Sequence, residues 1–84
     1  MRVTIDRTFD MGYIDFDQNT NSVRTINVRK YGIELCIDLD KDGKVNGIEF
    51  FNASKSMPKE LLNIATDITD VPAVIMSYPD EDWR

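Results

Sequence analysis

Eighty-four residues with 42% hydrophobic and 30% charged side chains suffice for one small domain around a modest core. Fifteen acidic against ten basic residues leave a net charge of −5, which argues against the clustered Lys and Arg of a nucleic-acid surface and suits a basic protein partner or a cation. With no histidine and a single cysteine, Cys36, the chain lacks the commonest general base and cannot form an internal disulfide or a zinc cluster.

Residues Arg2 to Asp6 (RVTID) alternate, Val3 and Ile5 on one face and Arg2, Thr4 and Asp6 on the other, which predicts a short strand. Met11 to Phe16 (MGYIDF) reads as a second strand, rich in aromatic and β-branched residues. Asp17 to Ser22 (DQNTNS) is a cluster of turn formers that closes a hairpin. Asp15, Asp17 and Asn19 echo the start of a calcium loop, but Thr20 replaces its glycine and Ile26 its closing glutamate. Val23 to Val28 predicts a third strand, and Arg29 to Gly32 a turn.

From Ile33 the period of two is clear. Ile33, Leu35, Ile37 and Leu39 share one face, and Cys36, between Leu35 and Ile37, reads as a buried structural thiol. Asp40 to Gly43 is a hairpin turn, Asp opening it and Gly taking the left-handed position. Lys44 to Asn52 returns as a fifth strand. Gly47 interrupts its apolar pattern, which predicts a bulge or a close backbone approach. Ile48 and Phe50 fall on one face, Glu49 and Phe51 on the other, as in a central strand covered on one side by a helix or a partner chain. Ile48, Phe50 and Phe51 are therefore candidate partner-binding residues.

Ala53 to Met57 leads into Pro58, a good first helical residue. Leu61, Leu62 and Ala65 make one stripe, so a short helix is expected from Pro58 to about Thr66. Thr66 to Asp70 is a polar break. Val71 to Tyr78 reads either as a short helix capped by Asp70 or as an extended segment, and the acidic end PDEDWR offers Trp83 as a further partner anchor. The start, MRVTID, has no apolar run of a signal peptide, and no stretch approaches the ~20 apolar residues that span a bilayer. A cytoplasmic protein without a membrane partner is expected.

The segment Asp38 to Glu49 (DLDKDGKVNGIE) matches the EF-hand loop pattern, with Asp38, Asp40, Asp42, Asn46 and Glu49 as oxygen ligands and Gly43 at the sharp turn. Its flanks oppose that reading. A helix entering such a loop spaces apolar residues three and four apart, whereas Ile33, Leu35 and Ile37 alternate. In a hairpin the aspartates shape the turn, and Glu49 sits in a strand too far away to close a cage. Calcium binding is the alternative function.

The strand DMGYIDF (Asp10 to Phe16) and the segment DLDKDGKVNGIEFFNAS (Asp38 to Ser54) together resemble the YuzE-like family of small bacterial proteins of unknown function. The resemblance covers about Arg2 to Pro58, and GIEFFNAS is its specific part. Asp6-Arg7 departs from the tyrosine–aspartate pair common there, and the residues after Pro58 follow no family pattern. The resemblance implies a small antiparallel sheet with a helix, no catalytic residues, and an antitoxin-like or regulatory role beside a small partner protein.

The expected fold is α+β: about five antiparallel strands in hairpins or a meander, followed by one or two short C-terminal helices. Residues 1–57 form the sheet region and 58–84 the helix and acidic tail of the same domain. The expected function is a non-enzymatic protein-interaction module without cofactor, binding a basic protein partner and compatible with a homodimer.

Overall fold

The computed structural model describes residues 1–17 and 19–70, so the readings at Val71 to Tyr78 and at Trp83 lie outside the described residues. Within them the elements run β1 (Arg2–Asp6), β2 (Met11–Asp15), β3 (Arg24–Lys30), β4 (Ile33–Leu39), β5 (Val45–Phe51), α1 (Ala53–Ser56), α2 (Lys59–Ile64) and β6 (Thr66–Asp67). One six-stranded sheet has the order β3-β4-β5-β2-β1-β6. It is antiparallel except where β6 lies parallel to β1. The α+β class agrees with expectation. The plain meander does not.

The difference lies in where β5 pairs. β3 does not fold back on β2; it lies at the far edge of the sheet, beyond β5 and β4. β3, β4 and β5 then return by hairpins until β5 pairs with β2, a Greek-key arrangement. Asn46 fixes this crossover. It is the extra residue where the β4–β5 register slips, since Asp38 faces Gly47 but Leu39 faces Val45. Its buried amide donates to Thr20 Oγ1 (3.2 Å) and accepts from Ser22 Oγ (3.1 Å). Its carbonyl accepts the Phe16 N–H at 3.0 Å.

The two long hairpins turn as their residues dictate. Tyr31 and Gly32 both take positive φ (54° and 76°), the pattern of a type I′ turn, so β3 runs on through Arg29 and Lys30 instead of stopping at Val28. In the next turn Asp40 Oδ1 accepts the N–H groups of Asp42 (2.9 Å) and Lys44 (3.0 Å), and Gly43 takes φ 81°.

Ala53 to Ser56 is helical where the sequence suggested only a lead-in. Asn52 turns the chain in the left-handed conformation (φ 55°), and Asp10 clips the start of α1. The Asp10 carbonyl accepts the Ala53 N–H, and its carboxylate accepts the Ser54 N–H (2.9 Å) and hydroxyl (2.7 Å). Pro58 stands just before α2, which is shorter than predicted because Ala65 is already extended. Val3, Ile5, Ile14, Phe50, Ala53 and Met57 form the buried core, with Leu35, Ile48, Leu61, Leu62 and Ala65 packed against it.

The predicted polar break is in part β6. Ile68 donates its N–H to the Ile5 carbonyl at 2.8 Å, and Arg7 pairs with Asp67 at 2.9 Å. The Thr69 hydroxyl and amide, and then the Arg7 charge, hold the Asp67 carboxyl below the usual carboxylate range. A carboxyl depressed on folding contributes stability above its unfolded-chain value and loses it as pH falls through the folded one. Acidification below the ordinary carboxylate range is therefore expected to reduce the exchange protection of the Ile68 amide. Asp67→Asn should remove that pH dependence, which NMR exchange at several pH values would check.

Candidate functional site

Cross-strand partners share a face, so the register divides the sheet cleanly. One face carries two apolar rows: Val3, Ile14, Ile48, Ile37 and Ile26, and Ile5, Gly12, Phe50, Leu35 and Val28. Both helices lie on this face, α2 against β1 and α1 against β5. They cover only part of it. Over β3 and the strand ends beside it, Ile26 (44%), Ile33 (46%) and Val45 (47%) stay exposed.

The opposite face is polar. Its central row runs Thr4, Tyr13, Glu49, Cys36 and Asn27, flanked by Arg2, Asp15, Gly47, Asp38 and Thr25. Asp6, Met11, Phe51, Glu34 and Arg29 complete it from the other end by the same alternation. Its carboxylates, Asp6, Asp15, Glu34, Asp38 and Glu49, outnumber its guanidinium groups, Arg2 and Arg29.

Short hydrogen bonds order the middle of this face. Tyr13 Oη donates to Asp38 Oδ2 and Thr25 Oγ1 donates to Asp38 Oδ1, each at 2.7 Å, linking β2, β4 and β3. The Tyr13 hydroxyl passes over Gly47: a Cβ at that position would lie 1.9 Å from it. The close approach at Gly47 is thus made chiefly by a side chain, and the bulge falls one residue earlier, at Asn46. Nearby, Asn27 Nδ2 donates to Glu34 Oε2 (3.3 Å) and Cys36 Sγ (3.4 Å). The Asn27 amide and then the Arg29 guanidinium hold the Glu34 carboxyl below the usual carboxylate range. Cys36 is half-buried on this polar face, where a fully buried thiol was expected.

The calcium-loop residues are dispersed over separate tasks. Asp38 lies in β4, bound by Tyr13 and Thr25, and Asp40 caps the turn. The Asn46 amide is taken up by the crossover, and Glu49 sits in β5 opposite Cys36. Asp42 is exposed in the turn. Among the described residues no group of three or more His, Cys, Asp or Glu is placed to hold a metal ion.

The partner-binding candidates separate by face. Phe50 is buried in the core and Ile48 packs against it, so both serve the apolar face. Phe51 is half-buried at one end of the polar face. Trp83 lies outside the described residues. Sequence reasoning missed Tyr13 and Asp38 as the centre of a network; the pause at Gly47 was its one visible trace. A depression of about 90 Å³ lies between Val23, Arg24, Leu39 and the Asp40 to Gly43 turn. That is well below the roughly 300–1,000 Å³ of a small-molecule cleft. No described helix is long and apolar enough to cross a membrane.

Residues 2–54 match a family described as proteins of unknown function (DUF2283). The match does not single out YuzE-like proteins. No curated protein and no solved structure matches the chain.

Proposed function

The chain belongs to the DUF2283 family of proteins of unknown function, and from that footing we propose that it is a non-enzymatic protein-interaction module whose polar sheet face docks a basic partner. The observation that carries this reading is the charge of that face. Asp6, Asp15, Glu34, Asp38 and Glu49 are spread across it against Arg2 and Arg29, while both helices pack on the other side. Carboxylates spread over a sheet face steer and orient a cationic surface. Phe51 and Met11 supply an apolar edge to the same surface. The resemblance of the GIEFFNAS segment to YuzE-like proteins supports a regulatory or antitoxin-like role.

Titration of the full chain with a Lys/Arg-rich peptide, beside an acidic control of equal length, tests the proposal. Binding should weaken with salt and shift amides of β2, β4 and β5. The double variant Asp15→Lys/Glu34→Lys should weaken it at least tenfold. Absence of binding to the basic peptide at low salt, or shifts confined to the helices, would refute the reading.

A further inference from the structure

Beyond that face, we infer that the edge strand β3 (Arg24–Lys30) is a strand-addition site for an extended segment of another protein, with acidic residues flanking two apolar ones. Among the described residues β3 is paired on one side alone, with β4, and ends the sheet. Its outer side is a seven-residue row of backbone groups of the kind that captures extended peptides. The other sheet edge, β6, is two residues long.

The side chains state the chemistry of the occupant. On the apolar face β3 presents Arg24, Ile26, Val28 and Lys30 at alternate positions. The positive charges flank the apolar pair instead of interrupting it. Arg29 is taken up on the other face by Glu34 at 3.2 Å, and β3 contains no acid, in a chain whose net charge is −5. Ile26 is 44% exposed, so an added strand would extend the apolar row from Ile37 through Ile26 to its own side chains.

The same pattern disfavours a second copy. An antiparallel self-pairing centred on Asn27 sets Arg24 opposite Lys30 of the other copy at both ends, and like charges directly opposite are destabilising. Acid at those two positions and apolar residues between them reverse that repulsion.

The probe is a synthetic peptide, Glu-Thr-Val-Thr-Ile-Thr-Glu with blocked ends, added to the full chain, with the same peptide bearing Lys for Glu as control. The Glu peptide should bind and slow hydrogen exchange at alternate β3 amides, and the Lys peptide at least tenfold more weakly. Arg24→Glu/Lys30→Glu should invert that preference, and Ile26→Glu should weaken the Glu peptide at least tenfold with the melting temperature largely kept. The proposal is overturned by no binding at millimolar peptide or by shifts that map to the polar face. Protection of the outer β3 amides in free protein would also overturn it. If it grew with concentration the occupant would be a second copy, and if it persisted on dilution a segment of the same chain. Failure here leaves the basic-peptide test untouched, because the two ligands read different amides and opposite charge.

Discussion

Phe50→Ala is expected to destabilise the fold by about 3–5 kcal/mol, against a total of roughly 4–13 kcal/mol for a domain this size. Phe50 lies at the middle of the sheet, with Gly12 of β2 on one side and Leu35 of β4 on the other. Gly12 brings no side chain, and Met57 fills the space above it: a Cβ there would meet Met57 Sδ at 2.2 Å. Removing the ring thus opens a cavity between strand and helix where neither neighbour can collapse freely. Phe51→Ala, next in sequence but half-buried on the other face, should cost about 1 kcal/mol. Urea unfolding of both variants separates them, and an equal or larger loss at Phe51 would contradict the division of the sheet into apolar and polar faces.

The alternation that located β1, β2, β4 and β5 is local. It says which residues share a face without saying which strand lies beside which. A meander and a Greek key satisfy the same period of two, so nothing in MGYIDF or VNGIEFF announces that β2 and β5 pair. The deciding residue is Asn46, which read as a metal ligand in a loop pattern and in the fold is the buried anchor of the Thr20 to Ser22 crossover. β6 was illegible for another reason. Two residues of parallel pairing are too short to carry a period, and its latch comes from Arg7 and Thr69 far apart in sequence.

The polar face was legible in part. Glu34, Asp38 and Glu49 fall opposite the apolar positions by simple alternation. That Asp38 would be bound from both sides depends on Tyr13 and Thr25 arriving from strands on either side of β4–β5. The candidate phenylalanines show the limit. Phe50 and Phe51 are equivalent by composition, and the helices choose between them by covering one face.

Gly47→Ala should cost about 2–3 kcal/mol, far more than a glycine-to-alanine change in an ordinary strand. The reason is space and not backbone freedom, since the glycines at positive φ are Gly32 and Gly43. At Gly47 a Cβ would lie 1.9 Å from Tyr13 Oη, 2.6 Å from its Cζ and 3.3 Å from the Ile14 carbonyl oxygen. The ring must swing away, and Tyr13 then loses the 2.7 Å bond to Asp38 that ties β2 to β4 across β5. The oxygen is the nearest obstacle, so Tyr13→Phe removes both the worst contact and the bond at stake. A double-mutant cycle should show Gly47→Ala costing at least about 1 kcal/mol less in the Tyr13→Phe background. Strict additivity would mean that the glycine serves some purpose other than giving passage to Tyr13. If the coupling is found, the small residue in the middle of β5 is what allows three strands of the polar face to share one carboxylate.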